Sequence, residues 1–377
     1  MSKIKVAHVL HCVGGVDVYL RLLLDSLDTE KFEPLVVHGE CDTNIQFLNK
    51  KSNKIKSFST TIIRNISLFN DIKAIYTPYH ILKTEKQNKI HCPREKGGLK
   101  GRIVGRLLNI RTLYTPHAFS YLSAENKIKG KFFLYLEKLF SNGNSILLAT
   151  SESEYNKAIS EVGYIKEKAL YINNAIKKLN PPYNLKIDKT WPDNYICTVG
   201  RPSYQKNIEF MVKVHALVNK YQDIHLVIMG VGHHSDKLEI VKKLIADLNL
   251  QNKVTLIDWT DRENILHIIN NSKIYISTAR YEGMPYSVIE SLALSKPCVV
   301  SNCDGNKDII INGYNGFVID ELEEIKFADK IMLLLNNLDL YEELSKNALN
   351  SFLENHDIDR MINRFEETYI KYSKINS

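Results

Sequence analysis

Between Tyr281 and Glu290 the chain reads YEGMPYSVIE, and this stretch decides the fold. The apolar run KIYIS, residues 273–277, precedes it and predicts a buried strand. Pro285 suits the first turn of a helix, because an N–H at that position has no partner within the helix. The pattern therefore predicts a strand, then a short loop that carries Glu282, then a helix that carries Glu290.

This arrangement suits a ligand that holds a phosphate between two polyols. The start of a helix offers free N–H groups and the positive end of the helix dipole to an anion. The carboxylates of Glu282 and Glu290, with seven residues between them, can accept hydrogen bonds from vicinal hydroxyls. A nucleotide-sugar presents such groups, with ribose on one side of its phosphates and a hexose on the other. Two glutamates at this spacing also occur by chance, as a surface residue and a helix residue with no shared partner, so the surrounding segments must decide.

Strands alternate with helical stretches along almost the whole chain, which predicts an α/β fold with parallel sheets and crossover helices. The predicted strands are Val6–Leu10, Pro34–Val37, Ile55–Phe58, Lys89–Cys92, Thr112–Thr115, Ile146–Ala149, Ala169–Ile172, Tyr195–Val199, His225–Met229, Val254–Ile257, Ile274–Ser277, Cys298–Ser301 and Phe317–Ile319. Three helices are predicted from about Ile325 onward. Pro181-Pro182 predicts a linker. The predicted domains are residues 1–180 and 181–355, each binding ligands at the carboxyl ends of its strands, and residues 356–377 form a helix that can cross back to the first domain.

Three further segments place glycine, cationic or imidazole groups at the ends of predicted strands. Gly14 and Gly15 open a helix after the first strand, where they let backbone N–H groups approach a phosphate; a tight turn fits them equally well. Arg201 and Lys206 follow the first strand of the second domain and can hold a diphosphate by a fork and a point charge; solvated side chains are the alternative. His117 ends a strand within TPHAF, as a site residue or a structural one.

Taken together, these segments resemble the retaining glycosyltransferases of family four, of the kind found in bacterial surface polysaccharide biosynthesis. That family has the GT-B fold, in which two Rossmann-like parallel-sheet domains face each other across a cleft. The shared pattern is Glu282-Gly283, a second glutamate at Glu290, a helix of small residues and the strand sequence KPCVV. The Gly200–Asn207 loop is similar to the family's Gly-Arg-x-x-x-x-Lys-Gly segment, and residues 115–119 are similar to its Thr-Pro-His-Gly-Phe segment.

The resemblance implies a metal-independent transfer of a hexose or N-acetylhexosamine from a nucleoside-diphosphate sugar, with UDP favoured over GDP. Glu282, His117, Arg201 and Lys206 are then the catalytic residues. Glu282 and His117 hold the transferred sugar, Arg201 and Lys206 the diphosphate, and Glu290 the ribose. The predicted donor-binding set is Gly14, Gly15, Arg201, Lys206, Glu282, Gly283, Met284, Pro285, Ser287 and Glu290. The family retains anomeric configuration by attack on the face that the diphosphate leaves, and a phosphate oxygen accepts the acceptor's proton, so no protein base is assigned.

The sequence departs from the family's pattern at several positions. The family's Gly-Gly-x-Glu has Val18 at its acidic position, or Asp17 one place earlier, which leaves that acidic role unassigned. Asn207 replaces a glycine and is predicted to cap the next helix. Asp304 and Asp308 replace a glycine and a glutamate in turns that are predicted to lie near the nucleotide.

The acceptor implied by the resemblance is a glycan on a lipid carrier such as undecaprenyl diphosphate. The segment Arg94–Arg102 is similar to a Ser-Lys-Ala-Gly loop of polysaccharide-building relatives. Arg94 and Lys96 are the predicted acceptor-binding residues, and an exposed basic loop is the alternative. Residues 127–140 are basic, aromatic and helix-periodic, which fits either a helix on a membrane surface or a core helix with a solvated basic edge.

Composition and motifs also limit the classes of protein and of partner that fit this chain. Hydrophobic content is 44% and the net charge is +7, which suits a globular protein with phosphorylated ligands or an anionic surface as partner. The chain has no helix-turn-helix, RNA-recognition or zinc-finger pattern, so no nucleic acid partner is expected. No apolar run approaches the ~18–20 residues that span a bilayer, and the first apolar segment is predicted as a core strand, not a signal peptide.

The chain also lacks a metal-ligand pattern. Its six cysteines include no CxxC, which predicts no zinc site and a reducing cytoplasm. The Asp-x-Asp sequence at residues 357–359 is predicted to cap a helix. We therefore expect no metal or other cofactor, and a cytoplasmic protein with possible peripheral contact to the inner face of the plasma membrane.

Three alternatives remain open at this point. A sugar-nucleotide epimerase shares the GT-B architecture, and a nonenzymatic nucleotide-sugar-binding module needs neither Glu282 nor Arg201. A dehydrogenase is the third, because Gly230-Val231-Gly232 follows a strand. Ser235 stands where a dinucleotide fingerprint requires its third glycine, which disfavours it.

Overall fold

The computed structural model describes residues 3–40, 42–60, 68–124, 126–141, 143–232, 235–320 and 323–373, and of residues 68–74, 95 and 96 the backbone only. The chain forms two compact units. The first is Met1–Asn174 together with Ile358–Ser377, and the second is Ala175–Asp357. The chain thus leaves the first unit after Asn174 and returns to it after Asp357, whereas the sequence predicts boundaries at 180 and 355.

All strands of the described residues belong to two parallel sheets. They are β1 (Ile4–Val9), β2 (Phe32–Gly39), β3 (Ser57–Thr60), β4 (Lys89–Pro93), β5 (Thr112–Thr115), β6 (Ser145–Ala149), β7 (Ala169–Tyr171), β8 (Tyr195–Val199), β9 (His225–Val231), β10 (Val254–Asp258), β11 (Tyr275–Ser277), β12 (Cys298–Ser301) and β13 (Gly316–Ile319). Each predicted strand overlaps one of these, so the prediction of alternating parallel strands is confirmed.

Helices connect the strands. In the described ranges the α-helices are α1 (Gly15–Leu24), α2 (Leu68–Thr84), α3 (Glu95–Leu107), α4 (Lys127–Ser141), α5 (Glu152–Lys157), α6 (Ile208–Val218), α7 (Leu238–Asp247), α8 (Arg262–Asn271), α9 (Tyr286–Ala293), α10 (Asn306–Ile309), α11 (Glu324–Asn336), α12 (Leu338–Asn355) and α13 (Ile358–Lys371). The last three are the three helices predicted from Ile325. None of the helices that the structure describes combines the length and apolar character needed to cross a membrane.

The first unit contains a seven-stranded sheet in the order β3-β2-β1-β4-β5-β6-β7. Ile4 of β1 lies opposite Phe32 of β2, and Val6 lies opposite Lys89 of β4. Strands β4, β5 and β6 are buried along their whole length. Continuous burial is typical of parallel strands that helices cover on both faces.

Helix α3 corrects the prediction of a basic loop at Arg94–Arg102. Its glycines bring it into close contact with the sheet: a Cβ atom on Gly97 would lie 2.4 Å from the Val9 carbonyl oxygen, and one on Gly101 would lie 1.9 Å from Cys92 Sγ. The glycine-rich sequence therefore serves helix packing. Lys100 and Arg102, expected on an exposed loop, are buried.

Helix α13 belongs to the first unit through polar and aromatic contacts. The Tyr369 hydroxyl lies 2.7 Å from His91 Nδ1, and Glu366 accepts a 2.8 Å hydrogen bond from the Asp28 amide. Burial holds the pKa of His91 well below its usual value, so the ring is neutral at physiological pH. The helix thus returns to the sheet of the first unit.

The second unit contains a six-stranded sheet in the order β10-β9-β8-β11-β12-β13. A large apolar core lies against it, built from β8, β9, β11 and β12 with helices α6, α7, α11 and α12. The strand order reverses between β8 and β11. In open parallel sheets this reversal is the place where ligands bind, beyond the carboxyl ends of the two strands.

Candidate active site

The loop after β8 folds back so that the side chain of Lys206 lies against Gly200, at the start of the same loop. A Cβ atom on Gly200 would lie only 3.0 Å from Lys206 Cγ and Cδ, so glycine leaves room for the lysine stem. The Thr278 hydroxyl, beyond the end of β11, donates to the Lys206 carbonyl at 3.2 Å. Arg201 lies on the same loop and is partly buried.

Lys206 and Glu282 form an ion pair where the loops after β8 and β11 meet. Lys206 Nζ lies 2.7 Å from Glu282 Oε1, and the two side chains are 23% and 9% exposed. Burial disfavours the charged form of Lys206, but the neighbouring groups, Glu282 foremost, outweigh this effect, and the pKa of Lys206 is raised. Gln205 Nε2 donates to Glu282 Oε2 at 3.2 Å. Both carboxylate oxygens therefore have a partner on the β8 loop.

Asn207 occupies the N-cap position of α6, but its side chain makes no capping hydrogen bond, which corrects the predicted role. Its backbone has φ 53°, in the left-handed region that glycine and asparagine adopt more readily than other residues. This backbone conformation explains why asparagine can stand where the resembled family has glycine.

The hydroxyl of Tyr275 joins β8, β11 and α9. It donates to Ser287 Oγ at 2.7 Å and accepts from the Val199 amide at 3.2 Å. Burial raises the pKa of Tyr275 to about 12, so the hydroxyl keeps its proton at physiological pH. Pro285 is the N-cap residue of α9, directly before the predicted helix, and Met284 is buried beside it.

Glu290 on α9 pairs with Arg262 at the start of α8. Arg262 Nε and Nη2 lie 3.0 and 2.9 Å from Glu290 Oε1, and both bonds converge on this oxygen. The glutamate is 6% exposed. Burial raises the pKa of Glu290, and the positive charge and hydrogen bond of Arg262 offset only part of that rise.

The turn before α10 packs on the Glu282-Gly283 loop. Gly305 has φ +80°, and a Cβ atom there would lie 2.6 Å from the Gly283 carbonyl oxygen. The Gly305 amide donates to Asp308 Oδ2 at 2.8 Å. Asp308 therefore holds the turn that supports the loop of the first glutamate.

The Gly14-Gly15 turn lies in the first unit. Gly14 is the N-cap residue of α1 with φ 65°, a conformation that favours glycine. Asp17 accepts from Arg21 Nε at 2.9 Å and from Cys12 Sγ at 3.0 Å. Asp17 thus ties the start of α1 to the loop before it.

His117 and Arg94 are neighbours in the first unit. His117 has φ 53°, and its ring stands edge-on to the Tyr19 ring with centroids 4.5 Å apart. Burial, with the charge of Arg94, lowers the pKa of His117 to about 3, so the imidazole is neutral. Its Nε2 atom is buried and has no hydrogen-bond partner among the described residues. The side chain of Lys96 lies outside the described residues, as do His233 and His234.

Residues 185–351 match the model of a family described as glycosyl transferases group 1. The UDP-Gal:alpha-D-GlcNAc-diphosphoundecaprenol alpha-1,3-galactosyltransferase of Escherichia coli is 27% identical over 98% of this chain and 97% of its own. The chain is a glycosyltransferase, and its residues 185–351 are similar to this group. The capsular polysaccharide biosynthesis glycosyltransferase CapM of Staphylococcus aureus is 25% identical to it, over 81% of this chain and 86% of CapM.

Solved structures show that the glycosyltransferase has the GT-B fold predicted from the sequence. Sucrose-phosphate synthase from Thermosynechococcus elongatus superposes with a TM-score of 0.83 at 16% identity, covering 98% of this chain and 99% of that one. HepE of Anabaena, in complex with UDP-glucose, gives a TM-score of 0.79 at 16% identity, covering 98% and 100%. The family match and the Escherichia coli relative, not the fold, set aside the epimerase, the dehydrogenase and the nonenzymatic binding module.

The predicted site residues of the glycosyltransferase fall into both units. In the second unit, Lys206 touches Glu282, while Glu290 pairs with a residue that the sequence did not indicate, Arg262. Arg262 is the first residue of the helix after β10, so it lies at the same edge of the sheet as the start of α9. This position in the sequence could have indicated that Arg262 belongs to the site. Among the residues that the structure describes, no group of three or more His, Cys, Asp or Glu side chains is arranged to hold a metal ion.

Proposed function

We propose that this glycosyltransferase moves a hexose or N-acetylhexosamine from a UDP-sugar to a glycan acceptor on a lipid diphosphate, in the synthesis of a bacterial surface polysaccharide. The Escherichia coli relative is named for a UDP-galactose donor and a diphosphoundecaprenol-linked acceptor, and CapM for capsular polysaccharide biosynthesis. These names support the substrate class, and they make UDP-galactose the first donor to test.

The observation that carries the proposal is the Lys206–Glu282 pair at the carboxyl ends of β8 and β11. In this pair the two charges neutralise each other. When a donor binds, the ammonium exchanges the carboxylate for a phosphate oxygen, and Glu282 becomes free to accept hydrogen bonds from sugar hydroxyls. One pair of side chains thereby serves both ends of the bond that breaks.

The ribose is assigned to Glu290. Arg262 occupies one carboxylate oxygen from one side and favours the charged form of Glu290, which offsets part of the rise in pKa that burial causes. The other oxygen, Oε2, accepts no hydrogen bond from the described residues. In the proposal it accepts hydrogen bonds from the vicinal hydroxyls of the ribose.

The chemical step is a displacement at the anomeric carbon. The bond from that carbon to the phosphate oxygen breaks, its electron pair stays on the phosphate, and the acceptor oxygen forms the new bond on the same face. Because the attack takes place on the face that the diphosphate leaves, the configuration is retained. A phosphate oxygen takes the acceptor's proton, so no protein base is assigned. Arg201, Lys206 and the backbone amides at the start of α9 stabilise the departing diphosphate; preorganised contacts of this kind contribute about 3–4 kcal/mol each. No metal is assigned to the reaction.

Other assignments stay predictions. They are Gly14, Gly15 and His117 for the donor and its sugar, Arg94 and Lys96 for the acceptor, and a cytoplasmic location at the inner face of the plasma membrane. The cysteines that the structure describes are free and buried, which supports a reducing compartment.

A transfer assay tests the proposal. The purified protein is incubated with UDP- and GDP-sugars and a lipid-diphosphate N-acetylglucosamine acceptor, with and without EDTA, and products are identified by mass spectrometry and the anomeric configuration by NMR. We expect an α-linked product from a UDP-sugar, insensitive to EDTA. Glu282→Ala should lose at least two orders of magnitude in rate, as expected for one well-placed polar contact. Glu239→Ala, which removes an exposed glutamate of α7, is the matched control. Full activity of Glu282→Ala, or loss of activity in EDTA, would contradict the proposal.

A further inference from the structure

Helix α4 of the first unit exposes a continuous apolar stripe. Four large side chains at spacings of four, three and four residues lie on one face of the helix. They are Ile128, Phe132, Tyr135 and Leu139, exposed to 78%, 51%, 63% and 57%. Single exposed apolar residues are common on proteins, but an aligned row of this kind marks an interaction surface.

The opposite face of α4 is anchored in the first unit, so the helix cannot turn its stripe inward. Leu134 packs against the buried cluster that includes Tyr114. Glu137 is buried and accepts bonds from Arg102 Nη1 at 3.0 Å and from the Tyr114 hydroxyl at 2.9 Å. The sequence also allowed α4 to be a core helix with a solvated basic edge. Only its inner face is packed against the core, and the apolar stripe lies on the exposed face.

The outer face of α4 is also cationic. Lys127, Lys129, Lys131 and Lys138 are exposed on this helix. In the part of the chain that the structure describes, none of these four lysines lies within ion-pair distance of a carboxylate. The helix has one acidic residue, Glu137, and it points inward to Arg102. The exposed face of α4 therefore combines an apolar stripe with positive charge, and the acidic residue of the helix, Glu137, faces inward.

We propose that α4 docks the protein onto an anionic lipid bilayer. The stripe of Ile128, Phe132, Tyr135 and Leu139 enters the boundary between headgroups and acyl chains, and the four lysines contact lipid phosphates. Interfacial helices have this combination of an apolar face, aromatic residues and a basic polar face. A second copy of the chain is a poorer occupant, because two such faces would bring eight lysines together without a counter-charge.

The proposed membrane docking is a property separate from the transfer reaction and does not depend on it. Vesicles without donor or acceptor therefore provide the test, and failure of the proposed function leaves its outcome unchanged. Full-length protein is sedimented with vesicles of equal parts phosphatidylglycerol and phosphatidylethanolamine, and separately with phosphatidylcholine vesicles. We expect binding to the anionic vesicles that weakens as salt is raised, since the charge attraction is screened.

Two matched variants decide the role of the stripe. Phe132→Ser with Tyr135→Ser should lower the partition coefficient at least tenfold, while Tyr221→Ser with Ile240→Ser, on exposed sites of the second unit, should leave it unchanged. Thermal unfolding verifies that each variant is folded. Equal vesicle binding by the stripe variant overturns the proposal. A second result would also overturn it: the wild type does not bind vesicles but forms a concentration-dependent dimer, and the stripe variant does not form this dimer. A second copy of the chain would then cover the helix.

Discussion

Replacing Arg262 with alanine separates the proposed ribose contact from mere packing. The change removes both nitrogen donors from Glu290 Oε1, at 3.0 and 2.9 Å. Breaking a buried ion pair by deleting one partner costs about 3–5 kcal/mol, whereas an exposed pair contributes about 0–1 kcal/mol. Here the Glu290 side chain is 8% exposed and that of Arg262 is 42% exposed, so solvent replaces part of the lost interaction. We expect a loss of about 1–2 kcal/mol in the free energy of unfolding. Because the Glu290 carboxylate also loses the group that orients it and favours its charge, UDP binding should weaken roughly tenfold in Kd.

The same substitution has a predicted pH dependence. Burial raises the pKa of Glu290 and Arg262 opposes the rise, so Arg262→Ala raises this pKa further. Because only the ionised carboxylate accepts bonds from two hydroxyls, UDP affinity should begin to fall at a higher pH in the variant. A carboxyl group whose folded pKa is raised costs stability above that pKa, and this cost disappears as pH falls below it. The variant should therefore be less stable than wild type near neutrality, with the difference shrinking in acid.

Isothermal titration with UDP across a pH series measures the affinity and its pH dependence, and urea unfolding across the same series measures the difference in stability. Glu290→Gln should bind UDP weakly, and its UDP affinity should not fall further in acid. Adding Arg262→Ala to Glu290→Gln should change the UDP affinity little, because the two groups act through one contact. Lys186→Ala, which breaks the exposed pair of Lys186 with Glu263, a neighbour of Arg262 on α8, is the control. Wild-type affinity in Arg262→Ala at every pH, or an acid limb that moves to lower pH, would refute the reasoning.

Three further substitutions test the scaffold. Gly305→Ala adds left-handed strain of about 1–2 kcal/mol and drives a Cβ atom against the Gly283 carbonyl, so it should lower both the unfolding midpoint and UDP affinity; unchanged titration would count against the support assigned to this turn. Arg102→Met leaves Glu137 buried without its cation and should cost about 3–5 kcal/mol in urea unfolding, and adding Glu137→Leu should restore most of it; no rescue would show that packing dominates. Tyr275→Phe removes two hydrogen bonds and should cost about 1–3 kcal/mol by the same measurement, with a cost near zero contradicting the bridging role.

The fold was predictable because its local patterns agree with its tertiary structure. Apolar runs of four to five residues between turn-forming residues are typical of buried parallel strands, and Thr112–Thr115, Tyr195–Val199 and Cys298–Ser301 have the predicted bounds. The prediction of a loop at Arg94–Arg102 was wrong for a physical reason. Glycines favour loops by local propensity, but in α3 their missing side chains allow close contact with the sheet.

The contacts of the site were only partly predictable. Lys206 and Glu282 were each indicated by a motif, but their direct ion pair depends on how two loops meet across the strand-order reversal. The pair of Arg262 with Glu290 joins residues that are distant in sequence and depends on the neighbouring positions of α8 and α9. The capping role predicted for Asn207 failed because its backbone is left-handed, and a cap with a side-chain bond usually has an extended backbone.

The central claim is that Lys206 binds the diphosphate of the donor. The most direct test compares UDP binding by a Lys206 variant with UDP binding by a variant of a control lysine. UDP is titrated into wild type, into Lys206→Met and into Lys213→Met, a change on the exposed side of the helix that Lys206 precedes. We predict that Lys206→Met weakens UDP binding at least tenfold, about 1.4 kcal/mol or more, while Lys213→Met binds as wild type does. Folded Lys206→Met protein that binds UDP with wild-type affinity would contradict the account.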